Sequence, residues 1–296
     1  MPLPRPARPD ALRPTAEQAL ATWVERVRAD REQVERLREL ADPSDYYAPM
    51  ADRFRADPRR TDDQVVAALS GIARPNDAWL DIGAGGGRYA LPMALVTREV
   101  VCVEPSEGMR AVLAAGADEH DIGNVAIFEG RWPPAGWMDR GVVEGLHVDV
   151  SLMAHVGYDI ESIGPFLDAM ESVTSRLCVA VMAEGAMTTV ASLLWHPVHD
   201  EPRAPLPALP ELLAVLMARG RLPEVALVDR VAPAFEARDD VLQMARRQLW
   251  LRPGSPKDRR LMDLVDELTT ERDGGWALDW TTTRIGIVTW EPRDRD

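Results

Sequence analysis

The sequence predicts an α/β fold with a mostly parallel sheet covered by helices on both faces, and three observations carry that prediction. Short apolar runs recur from residue 78 onward, separated by segments with helical spacing. The runs are apolar throughout instead of alternating, as in strands buried on both faces. A glycine-rich turn, Gly83-Ala-Gly-Gly-Gly87, follows the first run at once. The hydrophobic fraction of 46% over 296 residues leaves enough material for one large domain with accessory segments.

Residues 1–14 hold five prolines and three arginines and read as a flexible, proline-rich arm. They show no export signal, and no run is long enough to span a membrane, which gives a cytoplasmic expectation. Thr15-Ala-Glu-Gln18 has capping-box spacing. Behind it Leu20, Trp23, Val24, Val27, Val34 and Leu37 recur as one helical face as far as Asp42-Pro43. That stripe must be buried, as a cap on a pocket, against a second subunit in a homodimer, or as both. Thr61-Asp-Asp-Gln64 reads as a second capping box, opening a short helix through Val65, Val66 and Leu69. Residues 15–75 thus form a helical lid or cap ahead of the main domain, 76–296.

Strands are expected at 78–82, 100–104, 125–128, 148–152 and 176–183, with helices at 88–96, 106–115 and 163–173. The C-terminal third departs from this rhythm. Trp195 and a proline-rich stretch, Pro197 to Pro210, lie in an insertion at about 186–222, which also holds a helix at 211–219. Two further strands, 225–231 and 284–290, flank a helical stretch from 239 to 271. Cys102 and Cys178 each sit inside an apolar run and read as buried thiols in a reducing compartment.

The net charge of −14 argues against a nucleic-acid partner, because phosphate binding needs a basic face. Arg53, Arg55, Arg59 and Arg60 do cluster, but among Asp52, Asp57, Asp62 and Asp63 they read as a salt-bridged surface.

Chemistry concentrates at the glycine loop. Dinucleotide-binding folds also turn on glycines, with a helix N-terminus facing the pyrophosphate. Here Asp81 ends the strand two residues before Gly83, where a carboxylate repels phosphate and suits a cationic ligand. The glycines are spaced G-x-G-x-G at 83, 85 and 87, and Arg88 stands where the dinucleotide pattern needs its third glycine.

Asp81-x-Gly83-x-Gly85-x-Gly87, with Val-Cys-Val-Glu104-Pro-Ser one strand later, resembles the first two motifs of the class I S-adenosylmethionine-dependent methyltransferases. The resemblance covers about residues 76–183. It implies a seven-stranded sheet of order 3-2-1-4-5-7-6 with strand 7, here 283–290, antiparallel. Cys102 and Cys178 are then three strands apart, roughly 14 Å and too far to bridge.

It further implies that Glu104 accepts both ribose hydroxyls of S-adenosylmethionine and that Pro105 and Met109 pack on its adenine. Glu129, Arg131 and Trp132 fall where a side chain meets the adenine amine. The family often has aspartate there, so backbone or Glu129 is left to make that contact. The fourth strand and its exit, Asp149 to Tyr158 and so including Ala154, resemble the motif beside the methionine part and the reactive methyl.

His155 is the candidate general base, its ordinary pKa lying near 6.5. Tyr46, Tyr47, Tyr158, Trp195 and His196 are the candidate acceptor-side residues. Asp45-Tyr-Tyr47 with Phe54 resembles the lid that closes over the cofactor. His196 and His199 lack the companion cluster a metal site needs, so no metal is expected. The implied activity is methyl transfer to oxygen or nitrogen of a small molecule. A non-catalytic S-adenosylmethionine-binding regulator and an NAD(P)-dependent oxidoreductase remain as alternatives.

Overall fold

The computed structural model describes residues 14–134, 145–185, 189–230, 235–272, 275–278 and 283–293. The expected proline-rich arm lies, apart from Pro14, outside the described residues. In chain order come α1 (Ala16–Leu37), a 3-10 turn (Ala48–Phe54), α2 (Gln64–Ile72), β1 (Ala78–Ile82), α3 (Ala90–Ala94), β2 (Glu99–Glu104), α4 (Glu107–Glu119) and β3 (Val125–Glu129). Then follow β4 (Val148–Ala154), α5 (Ile163–Val173), β5 (Thr174–Ala183), α6 (Thr189–His199), α7 (Leu209–Ala218) and β6 (Glu224–Arg230). The chain closes with α8 (Arg238–Gln248), α9 (Pro256–Leu268), β7 (Thr269–Arg272), β8 (Gly275–Leu278) and β9 (Thr283–Trp290).

Seven strands form one sheet in the order β3-β2-β1-β4-β5-β9-β6. The first five pair in parallel, and β9 runs antiparallel to both β5 and β6. This is the expected order, with β9 as its seventh strand. Alternate residues feed two cores. Leu80, Ile82, Met153 and Cys178 face α1, α5 and α7, whereas Trp79, Cys102, Leu152 and Val181 face α2, α3 and α4. Both cysteines are buried and unbridged.

Three local expectations are corrected. α2 is capped by Asp63, which accepts from the backbone N–H of Val65 and Val66, and not by the Thr61 box. The 239–271 stretch breaks at residues 249–255 into α8 and α9, and its end turns into the β7–β8 hairpin. α6 occupies part of the stretch read as proline-rich loop, with Pro197 tolerated in its last turn.

α1 has the expected capping box, Thr15 with Gln18. Most of its stripe is covered within the chain. Ala19, Trp23 and Val27 join the core under α5 and α7, and Val34 and Leu37 pack on a separate cluster of α6, α8 and α9. Val24 of the same stripe stays half-buried at the surface, beside Ala21, Glu25 and Arg28. No described helix is long and apolar enough to cross a membrane.

Candidate active site

The site assembles where the loops after β1, β2 and β4 meet, at the C-terminal edge of the parallel strands, the usual ligand end of such a sheet. Asp81 lies in β1 beside Cys102 of β2 and is 2% exposed. One of its carboxylate oxygens, Oδ1, is buried without a hydrogen-bond partner. Burial, with the charge of Glu104 added, pushes its pKa up to about 7. A cationic or donating partner would favour the ionised form of such an acid.

The loop that follows needs its glycines. Gly83 has φ +73°, and a Cβ there would stand 2.5 Å from Cγ2 of Val156 on the β4 exit. Glycine thus lets the β1 and β4 loops touch. Gly85 donates its N–H to Oε2 of Glu104 at 2.8 Å, and Ser106 donates its N–H to Oε1 at 2.8 Å. Each oxygen of Glu104 keeps acceptor capacity beyond these bonds. Burial raises the pKa of Glu104, against the two backbone donors.

A strap from the N-terminal segment lies over both loops. Ser106 caps α4 through the N–H of Met109 and donates its hydroxyl to Oδ2 of Asp45 at 2.8 Å. Asp45 also accepts from the N–H groups of Tyr47 and Ala48. Burial opposes its ionisation, but these bonds outweigh it and hold the carboxyl below its ordinary range. Gly108 meets the strap so closely that a Cβ would lie 2.7 Å from Cα of Ala48, and the carbonyl of Phe54 sits against Gly86. Ala51 of the strap packs with Met109 and Val112 of α4.

At the β4 exit, Ala154 ends the strand and His155 follows at φ +57°, its N–H donating to the carbonyl of Val181 at 2.8 Å. Nε2 of His155 lies 3.3 Å from the hydroxyl of Tyr89. Tyr47 packs edge-on against Tyr46 and Phe54. Tyr47 is 45% exposed as a residue, yet loss of solvent around its hydroxyl, then the charges of Asp159, Tyr46 and Glu104, push its pKa up to about 12.

No family model and no curated protein matches the sequence. Solved structures do match. An S-adenosylmethionine-dependent methyltransferase from Thiobacillus denitrificans, in complex with S-adenosyl-L-homocysteine, is 14% identical with a TM-score of 0.52, covering 86% of this chain and 100% of the other. The fold is that of the class I methyltransferases. The YcgJ protein from Bacillus subtilis (16% identity, TM-score 0.52) matches over 77% of this chain and 98% of its own. YjhP from E. coli (13%, TM-score 0.51) matches over 85% and 100%.

Within this methyltransferase fold the sequence-derived candidates separate into two groups. Asp81, Gly83, Gly85, Gly87, Glu104, Pro105, Met109, Ala154, His155, Tyr46 and Tyr47 belong to the ends of β1, β2 and β4 or the loops after them, to α4, or to the strap above them. The others differ in placement, and Glu129 is the register partner of Glu104 across β2 and β3. Glu129 is exposed and pairs with Arg110, and Arg131 is exposed as well. Trp132 turns inward, donating its indole N–H to the carbonyl of Phe166. Tyr158 is buried, its hydroxyl accepting from the N–H of Ala183 at 2.7 Å.

Trp195 is 1% exposed in the α6–α8–α9 cluster, stacked on His199 and under Arg203, while His196 faces solvent. Asp200 and Glu201 pair with Arg260 and Arg36. Two of the arginines near residue 55 find partners across the fold, Arg53 with Asp240 and Arg55 with Glu119, while Arg60 pairs locally with Asp63.

Tyr89 and Ser106 are the residues the sequence analysis did not single out for the site. Ser106 was legible only as the residue that opens the 106–115 helix. Tyr89 stands two residues beyond Gly87, and that position was its one available signal.

Proposed function

We propose that this chain is an S-adenosylmethionine-dependent methyltransferase acting on an oxygen or nitrogen of a small-molecule acceptor. One observation carries the reading: two buried carboxylates, Asp81 and Glu104, flank the same glycine loop, and Asp81 has an oxygen with no partner. A pyrophosphate would be repelled by this pair, whereas the ammonium and sulfonium of the methyl donor suit it. The remaining acceptor capacity of Glu104 fits a ribose diol, two donors on one carboxylate. The bound donor supplies an electrophilic methyl group on a positively charged sulfur.

The chain's own residues supply the rest. Gly83, Gly85 and Gly87 let the backbone approach the donor, and Pro105, Met109 and Ala154 form its apolar walls. Tyr46 and Tyr47, carried by the strap, border the acceptor's entry, and His155 stands beside the reacting centre as the candidate proton acceptor. Because the leaving sulfur departs neutral, orientation and proton removal are the main tasks left to the protein. The 15–75 segment then serves as a cap through its strap, and the 186–222 insertion as acceptor-side structure.

Calorimetry with S-adenosyl-L-homocysteine and with NAD tests the donor: binding of the first and not the second is expected, and the reverse overturns it. Transfer of label from S-adenosylmethionine to small molecules of a cell extract tests catalysis. Tight binding with no transfer points to a regulator. Asp45→Ala is expected to release S-adenosyl-L-homocysteine several-fold faster, roughly the loss of one charge-assisted bond. Stopped-flow dissociation measures it, and an unchanged off-rate removes the strap from donor retention.

A further inference from the structure

The strap that lies over the donor loops has a second side, and that side rests on α8. Arg247, in the last turn of α8, donates from Nη1 to the carbonyl of Tyr46 at 3.0 Å. Its guanidinium carbon stands 5.4 Å from the centre of the Tyr46 ring. The same ring lies 5.5 Å from that of Trp250, just beyond the helix, at an interplanar angle of 44°. At the other end of the strap Arg53 pairs with Asp240 in the first turn of α8. The strap therefore runs along α8 in the opposite direction, tied at both ends.

α8 is a firm support. Val241, Ala245 and Leu249 are 0% exposed in the cluster shared with α6 and α9. Arg246, beside Arg247, pairs with the buried Asp258 of α9 at 2.5 Å. The chain leading into the strap is fixed to the same unit. The N–H of Glu39 donates to the carbonyl of Trp250 at 2.9 Å, and the N–H of Arg252 to Oε2 of Glu39 at 2.8 Å. On the donor side the strap is held by Asp45, which accepts from Ser106 and from the N–H groups of Tyr47 and Ala48. Tyr46 thus stands between the acid that grips the donor loops and the arginine that grips the strap from α8. A flat guanidinium can bond a carbonyl and cover an aromatic face at once, and its charge sits at a helix C-terminus, where the dipole favours it.

We propose that Arg247 is a positioning residue for donor retention: through Tyr46 it holds the strap against the loops after β1 and β2. This rests on the methyltransferase reading of those loops. Opening of the strap then depends on a contact that spans 201 positions of the sequence. Helices outside the parallel sheet set how long the donor stays.

The test compares the full chain with Arg247→Met, which keeps the stem and removes the guanidinium. The N–H groups of Tyr47, Ala48 and Met50 all bond within the strap. In the unliganded variant they should exchange with deuterium about two- to fivefold faster, the size of an exposed cation–π contact. Stopped-flow release of S-adenosyl-L-homocysteine should quicken by a similar factor. In an Asp45→Ala background, where the strap has already lost its grip on Ser106, the same substitution should add little to the off-rate. Arg247→Lys, with the charge but not the plane, is expected between the two and replaces the methionine variant should that one fail to fold. Unchanged strap exchange overturns the proposal, as does an unchanged off-rate or a full additional effect in the Asp45→Ala background. A packing role alone would lower the melting temperature and leave the off-rate in place. A wild type that does not bind S-adenosyl-L-homocysteine sinks the methyltransferase reading instead, while the exchange rates still decide whether Arg247 holds the strap.

Discussion

Asp81→Asn is expected to raise the melting temperature of the unliganded protein while abolishing its affinity for S-adenosyl-L-homocysteine. Asp81 is a buried acid with an unpartnered oxygen, and its pKa is raised to about 7 from an ordinary 3.8. Between those two values the folded state holds a proton that the unfolded state has released. Stability therefore falls as pH rises through this window, and the loss is complete above about 7. The asparagine variant carries no such charge. Its advantage should be largest at alkaline pH, of the order of 4 kcal/mol at most for three pKa units, and should fade toward pH 4.

Ligand affinity moves the other way. Binding of a cationic amino group requires ionised Asp81, so wild-type affinity should fall roughly tenfold per pH unit below about 7. Calorimetric titrations across that range, beside melting curves of both proteins, check the two halves. A variant that binds normally, or wild-type affinity flat with pH, removes Asp81 from the donor site.

Trp23→Ala should cost about 3–5 kcal/mol in unfolding free energy, the usual range for deleting a fully buried large aromatic ring. Trp23 is 0% exposed, and its indole N–H donates to the carbonyl of Ile160 at 2.9 Å. The alanine leaves a cavity beneath α1 and a carbonyl without its donor. Ile160 lies five residues beyond His155, so the β4 exit loses an anchor as well. Urea denaturation followed by circular dichroism measures the loss. A change near zero would mean that α1 is an appended arm and not part of the core.

The sheet was legible because each strand is a continuous apolar run and each βα unit is local in sequence. Asp81 and Glu104 were legible for the same reason, being strand ends next to loops of unusual composition. Contacts between distant residues were not. The Tyr89–His155 bond spans 66 positions and Asp45–Ser106 spans 61, and no periodicity encodes either. Trp195 and Tyr158 stood in promising places in the chain, but their side chains turn into the core. The β7–β8 hairpin was hidden because the helical spacing of Leu261, Leu264, Val265 and Leu268 gives no sign of where α9 stops.

The two-sided division of the apolar interior has a practical consequence. Cys102 belongs to the face beneath α2, α3 and α4, Cys178 to the face beneath α1, α5 and α7, and each is 0% exposed. The protein thus contains one native thiol reporter in each half of its interior. Neither reacts until its own layer of helices lifts, so labelling rates of the two single-cysteine variants time the breathing of the two layers independently. Donor binding should slow Cys102, the immediate neighbour of Asp81 across the sheet, more than Cys178.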